Sequence, residues 1–174
     1  MSTTSIQKLF DRDTVAERIR QLANQVQKDT GEAELMVVAV LSGAVVFLAD
    51  LMRELENPVS FGFIQVKYTR GSVREQAIHF PLPLDLEKRI VLVLKDVVTT
   101  GITESYLVEE LHRHGVDRVL FAALVDQPSR RRTDFQADYH LFAPETDGTF
   151  IGYGMSHDGR YGNLPFVGVL NEDR

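Results

Sequence analysis

Residues 91–103 read V-L-V-L-K-D-V-V-T-T-G-I-T: four apolar residues, a lysine and an acid, two valines, two threonines, a glycine, and a third threonine after one isoleucine. A continuous Val/Leu run of this kind marks a parallel strand buried on both faces. The turn that carries such a strand into a helix leaves backbone N–H groups unpaired at the strand's carboxyl end, and that is a place to hold an anion. Thr99, Thr100 and Thr103 add hydroxyl donors, and Gly101 lets the backbone approach a phosphate closely. A strand-to-helix turn without phosphate chemistry also favours Thr and Gly, so the string by itself leaves both readings open.

The same strand–turn–helix grammar recurs upstream. Met36 to Leu41 (M-V-V-A-V-L) is a short apolar run stopped by Ser42-Gly43, and Val45, Leu48, Leu51, Met52 and Leu55 then repeat at helical spacing. The turn Leu41-Ser42-Gly43-Ala44 is therefore a second candidate anion nest. Before it, Thr14 with Glu17 fits a capping box, and Val15, Ile19, Leu22 and Val26 predict an amphipathic helix that ends ahead of Gly31. Val59 to Tyr68 reads as a strand. Arg70 to Gln76 is polar and glycine-bearing, a mobile loop or an ordinary hairpin tip, and Ala77 to Phe80 is the returning strand, cut off by Pro81 and Pro83.

Downstream, Tyr106, Leu107, Leu111 and His114 predict a helix stopped by Gly115, with His112 and His114 suited to its negative end. Val119 to Val125 is another buried strand, and Ala137 to Ala143 and Thr149 to Tyr153 complete the set. Arg130, Arg131 and Arg132 read best as a solvated turn. His157 beside Asp158 reads as a surface turn rather than a metal or acid–base pair.

Bulk composition bounds the rest. A chain of 174 residues with 44% hydrophobic and 25% charged side chains fits one domain with a real core. No apolar run approaches the ~20 residues that span a bilayer, and the N-terminus shows no secretory pattern. Zero cysteines suit the cytoplasm and exclude thiolate chemistry. A net charge of −6 argues against nucleic-acid backbones as partners.

The 91–103 string resembles the phosphoribosyl-pyrophosphate signature of the type I phosphoribosyltransferases, which runs from a hydrophobic strand through two acids to a T-G-x-T loop. Phe47 to Leu51 (F-L-A-D-L), Asp126 to Arg131 (D-Q-P-S-R-R) and the tail from Ile151 (I-G-Y-G-M-S-H-D-G-R-Y-G-N-L-P) narrow the resemblance to the hypoxanthine-guanine, or 6-oxopurine, branch. It implies an α/β fold: a twisted, mainly parallel sheet flanked by helices over about residues 13–145, and a small hood from residues 1–12 and 146–174. It also implies transfer of 5-phosphoribose from phosphoribosyl pyrophosphate to a nitrogenous base, with Mg²⁺, in a homodimer or homotetramer.

Carried over residue by residue, the resemblance assigns the 5′-phosphate to Thr99, Thr100, Gly101, Ile102 and Thr103, and the ribose to Lys95 and Asp96. Pyrophosphate falls to Leu41, Ser42 and Gly43, where a non-proline cis peptide is implied. The lid tyrosine is Tyr68, and the base falls to Gln127, Phe150 and Ile151. Asp96 and Thr99 hold the catalytic positions. Several of these residues depart from the family pattern. Lys95 stands where an acid is usual; at about 5 Å and an effective dielectric near 20, two unit charges interact by roughly 3 kcal/mol, so the swap either attracts the polyanionic substrate or pairs with Asp96. Thr99 replaces an aspartate and cannot titrate near neutral pH. Gln127 replaces a base-reading lysine, and its amide can donate to an oxo group or flip to accept from an amino group. Ser156 stands where the hood has a Mg²⁺-binding aspartate, and Gly162 where it has an arginine. Asp158 and Arg160 lie two residues from those places, on the same face of extended backbone. Phe150 lies one place beyond the stacking aromatic, leaving Thr149 in register. Two functions follow: a transferase acting on a purine or another base, or a sensor of nucleotide or phosphoribosyl pyrophosphate.

Overall fold

The Val91–Leu94 run forms the first half of β5 (Ile90–Val98), an interior strand of a six-stranded sheet in the computed structural model, which describes residues 4–68, 76–81, 83–146 and 148–172. Parallel neighbours β2 (Leu35–Val40) and β6 (Arg118–Asp126) flank it, and β3 (Val59–Tyr68) and β7 (Tyr139–Phe142) extend the sheet in the same sense. One edge strand, β4 (Gln76–His79), runs antiparallel to β3. The sheet order is β4-β3-β2-β5-β6-β7. Parallel neighbours need a crossover, which α2 (Val45–Glu54) supplies between β2 and β3 and α3 (Ile102–Arg113) between β5 and β6. The loop between β3 and β4, with the side chain of Tyr68, lies outside the described residues.

Side chains alternate across the sheet. Leu35, Val37, Ala39, Leu92 and Leu94 join a cluster with α1 (Arg12–Thr30) and α2 on one face, while Met36, Val38, Val40, Val91 and Val93 pack with Leu107 and Leu111 of α3 on the other. Both faces are covered, which is why these strands read as unbroken apolar runs.

Three helix details differ from the sequence expectation. α1 is capped by Asp11, whose Oδ1 accepts the Thr14 N–H at 2.9 Å, so Thr14 is inside the helix and Glu17 bonds Arg20 and Gln21 instead of closing a capping box. An Asp three residues ahead supplies the N-cap oxygen at least as well as Thr does. In α2 the buried face is Phe47, Leu48 and Leu51, and Val45 is exposed. In α3 the buried residues are Glu104, Leu107 and Leu111, with Tyr106 only half-buried. Glu104 is thus a carboxyl placed at a core position of the helix that follows the threonine loop.

A three-stranded antiparallel sheet, β1-β9-β8, forms the hood from both chain ends: β1 (Thr4–Phe10), β8 (Thr149–Ile151) and β9 (Val167–Glu172). β8 stops two residues short of the expected Tyr153 because Gly152 and Tyr153 both take positive φ and turn the chain. Two contacts seat the hood on the core. The Phe10 ring stacks on Phe142 of β7 with centroids 3.8 Å apart, and the Tyr153 hydroxyl donates to Asp50 of α2. Burial first, then Asp50, pushes the Tyr153 phenol well above its ordinary pKa, so it stays a donor. Among the described residues no helix is long and apolar enough to cross a membrane.

Burial holds the Glu104 carboxyl above the ordinary glutamate range, against the opposing pull of Lys95 and Arg131. A native state that keeps its proton longer than the unfolded chain loses stability as pH climbs from the ordinary glutamate range through the raised folded value. Glu104→Gln is therefore expected to match the wild type below that window and to exceed it above, in urea unfolding followed from pH 4 upward. A variant less stable than the wild type at neutral pH would show that attraction to Lys95 and Arg131 outweighs the cost of burial.

Candidate active site

Open α/β sheets place their ligand sites beyond the carboxyl ends of the strands. Here three interior strands, β2, β5 and β6, end side by side, and each gives way to a short turn: residues 41–44, 99–101 and 127–130. The hood turn that follows β8 meets them from above.

The first turn contains a cis peptide between Leu41 and Ser42. The Leu41 N–H is tied to the Ile64 carbonyl at 2.8 Å, and α2 begins right after Ala44. Gly43 has no room for a side chain: a Cβ there would stand 1.9 Å from Oδ2 of Asp96. Gly43 is also covered from the hood side, because a Cβ on Gly154, itself at φ 96°, would stand 2.5 Å from the Gly43 carbonyl oxygen. The two glycines let the turn after β2, the carboxylate of β5 and the hood come together.

Asp96 is held at both ends. Its Oδ1 accepts from the Val97 N–H at 2.9 Å and from Lys95 Nζ at 2.6 Å, while Oδ2 lies against Gly43. Lys95 and Asp96 are each about one-fifth exposed, at 19% and 24% of the side chain. Of the two sequence alternatives for Lys95, the structure realises pairing with Asp96, and the lysine also draws the Glu104 carboxyl toward ionisation against the larger effect of burial. Glu104 was overlooked because the i, i+3, i+7 stripe of α3 was read for apolar residues alone.

The threonine loop is clamped from behind. Arg131 donates to the Thr99 carbonyl at 2.6 Å and pairs with Asp126, and its guanidinium lies 5.7 Å from the centre of the Phe135 ring. The Arg132 N–H and the Thr133 hydroxyl reach the Thr100 carbonyl at 2.9 and 3.5 Å. Gly101, at φ 78°, fits under this clamp only without a Cβ, which would come within 2.4 Å of Thr133 Oγ1 and 2.8 Å of Arg131 Cδ. α3 then starts at Ile102 with no side-chain cap from Gly101, and the Ile102 N–H donates to the Thr100 hydroxyl at 3.4 Å. The solvated turn expected at Arg130–Arg132 is corrected here: Arg131 is 11% exposed and Asp126 9%. Asp126 ends β6 five residues earlier, and a buried acid at that distance draws one arginine of the three inward.

A cavity of ≈ 390 Å³ lies between these turns and the hood. Asp96, Thr99, Gln127 and Arg130 line it on the sheet side, and Phe150 and Ser156 on the hood side. Phe150, buried at 7%, and Thr149, the residue in register and exposed, both line the cavity. Ile151 is fully buried and does not line it. Gln127 is 4% exposed; its amide donates to the Thr146 carbonyl at 2.6 Å and its Oε1 accepts from Arg130 Nη1 at 3.4 Å. Asp158 stands apart, 88% exposed and 3.6 Å from His157, in a turn closed by the pairing of His157 with Arg160. Gly162 packs on Gly154 and accepts its N–H at 2.9 Å, which stiffens the hood turn. Among the described residues no group of three or more His, Asp or Glu side chains is arranged to hold a metal ion. A larger cavity of ≈ 430 Å³ between α1, α2 and the hood, lined by Arg12, Asp50, Arg53 and Tyr153, shares none of the three strand-end turns.

Known proteins match this arrangement along nearly the whole chain. The hypoxanthine-guanine phosphoribosyltransferase of Streptococcus thermophilus is 31% identical over 168 residues, covering 95% of this chain and 93% of the relative. That of Bacillus subtilis is 29% identical over 165 residues, covering 93% and 91%. A crystal structure of a hypoxanthine-guanine phosphoribosyltransferase from Bacillus anthracis, 29% identical, matches with a TM-score of 0.85 over 97% of this chain and 100% of that one. The family described as the phosphoribosyl transferase domain matches residues 5–158, a span that holds all three strand-end turns and the cavity between them, and the chain belongs to that family.

Proposed function

We propose that this chain transfers the 5-phosphoribosyl group of phosphoribosyl pyrophosphate to a 6-oxopurine, hypoxanthine or guanine, and releases pyrophosphate. The observation that carries the reading is one carboxylate, Asp96, set against the tight turn Leu41–Gly43 and sharing a cavity wall with Thr99, where the Thr99–Thr103 turn begins. A ligand with a phosphate at one end, a pyrophosphate at the other and a sugar between them fits that order of groups. The full-length relatives named above support the choice of base.

In this reading the threonine loop holds the 5′-phosphate through its hydroxyls and the first amides of α3, and residues 41–43 hold the pyrophosphate. Asp96, with Lys95 beside it, faces the ribose. A ring nitrogen of the base bonds to C1 of the ribose as the bond from C1 to the pyrophosphate oxygen breaks. The electron pair leaves on pyrophosphate, and the proton of the base nitrogen passes to water or to the departing group, since Thr99 cannot take it. Positive charge gathers on the ribose as the bonds loosen, and a carboxylate fixed in advance stabilises it without reorganising. Phe150 and Gln127 bound the base, and Tyr68 leads into the lid. Ile151 supports the base site from the buried side of β8.

Mg²⁺ enters, on this proposal, as part of the substrate, on its pyrophosphate. Asp96 is the one carboxylate on the cavity wall among the described residues, its Oδ1 is engaged by Lys95 and Val97, and Asp158 faces solvent. These residues do not by themselves make a cation cage. A homodimer or homotetramer in the cytoplasm is the accompanying assignment, supported by family membership. A sensing role is the second reading, favoured by Lys95 and Thr99 standing where acids are usual.

The deciding assay is pyrophosphate release from phosphoribosyl pyrophosphate with Mg²⁺, offering hypoxanthine, guanine, xanthine, adenine, orotate and uracil separately. Release with hypoxanthine or guanine is expected. Binding of phosphoribosyl pyrophosphate without release for any base would move the assignment to sensing. Gly43→Ala puts a methyl where the Asp96 carboxylate now sits, so kcat/KM is expected to fall about 100-fold, the order set by misplacing a reacting group by roughly 1 Å. An unchanged kcat/KM in this variant would remove Asp96 from the reaction.

A further inference from the structure

Among the described residues the cavity wall holds one cationic side chain, Arg130, and it is not at the place where the family pattern puts a lysine. Gln127 occupies that place, and its amide is already committed. A carbonyl oxygen can only accept, so the 2.6 Å contact to Thr146 O fixes the NH₂ end, and the guanidinium of Arg130 can only donate, so the 3.4 Å contact fixes the oxygen end. Both partners demand the same orientation, and the flip that would let Gln127 accept from an amino group breaks both contacts. Gln127 is also 4% exposed.

Arg130 lies at the end of the short 3₁₀ turn Pro128–Arg130, is exposed, and lines the cavity together with Phe150 and Ser156. Only one of its five N–H groups is accounted for by the contact to Gln127. Arg131, its neighbour, is turned away into the Asp126 pair and the clamp on the threonine loop, so the adjacent arginines divide into a buried brace and a cavity-facing donor.

We infer that Arg130, set in place by Gln127, is the residue that reads the 6-oxo group of the base, and that it is the specificity determinant of this site. The inference rests on the transferase reading above. A guanidinium donates and never accepts. It therefore favours a ring bearing a carbonyl oxygen and gives nothing to one bearing an amino group. A side chain serving only to keep the turn folded would affect both rings alike, so the ratio between bases separates the two roles.

The test measures kcat/KM of wild type, Arg130→Ala, Arg130→Lys and Gln127→Ala for hypoxanthine and for unsubstituted purine, which lacks the oxygen, with the KM for phosphoribosyl pyrophosphate taken alongside. Loss of a charged hydrogen bond predicts that Arg130→Ala lowers kcat/KM for hypoxanthine about 10- to 100-fold. Unsubstituted purine should change less than about threefold and the KM for phosphoribosyl pyrophosphate less than about twofold, with Arg130→Lys recovering part of the loss. An equal loss for both bases, a parallel rise in the KM for phosphoribosyl pyrophosphate, or a hypoxanthine-selective loss in Gln127→Ala but not in Arg130→Ala would overturn the assignment. A wild type that uses neither base nor any other purine overturns the transferase reading itself, whereas turnover that ignores Arg130 overturns this inference alone.

Discussion

The constraint on which the site depends is the absence of space between Gly43 and Asp96. A carboxylate on one strand and a backbone turn after the next share the volume that any side chain at position 43 would take, and Gly154 of the hood closes over the same turn. Those contacts need Asp96 to stand just beyond the end of β2, which the in-register parallel pairing from Leu35↔Ile90 to Ala39↔Leu94 provides, since β2 closes at Val40 while β5 runs on to Val98. They also need the hood to be seated, which the Phe10–Phe142 stack and the bond from Tyr153 to Asp50 provide. Core packing and site geometry are thus one problem here, and the apolar strands serve the site by setting where each turn begins.

Charge is arranged with the same economy. Asp96 is the negative group on the cavity wall among the described residues, with Lys95 on one of its oxygens; Arg131 pairs with Asp126 and braces the threonine loop from behind. Pairing lets these groups sit at low exposure, since a buried charge without a partner would shift its pKa and neutralise. The altered family positions are thereby less disruptive than they look in isolation. Lys95 reverses a charge, and its pairing with Asp96 takes up that change locally.

Much of the fold was legible because two kinds of local signal are strong. Parallel strands buried on both faces show as continuous apolar runs, and strand-to-helix turns show as Ser, Thr and Gly at their ends; Val91–Leu94 with Thr99–Thr103 and Met36–Leu41 with Ser42–Gly43 carried both. What was not legible depended on contacts between distant segments. The cap of α1 went to Asp11 because two acceptable caps compete within three residues. The burial of Arg131 required knowing that the turn folds back on Asp126, and the fixed amide of Gln127 required the Thr146 carbonyl, 19 residues away. Glu104 carried a signal, a charged residue on the apolar stripe of α3, that a search for hydrophobic periodicity passes over.

The most direct measurement is a crystal structure of this chain with phosphoribosyl pyrophosphate bound. The account predicts the 5′-phosphate within hydrogen-bond distance of the Thr99–Thr103 loop, the pyrophosphate on residues 41–43, and the ribose hydroxyls on Asp96, with C1 facing the cavity that Arg130 and Phe150 line. A sugar lying elsewhere, with Asp96 contacting nothing but Lys95 and Val97, would contradict it.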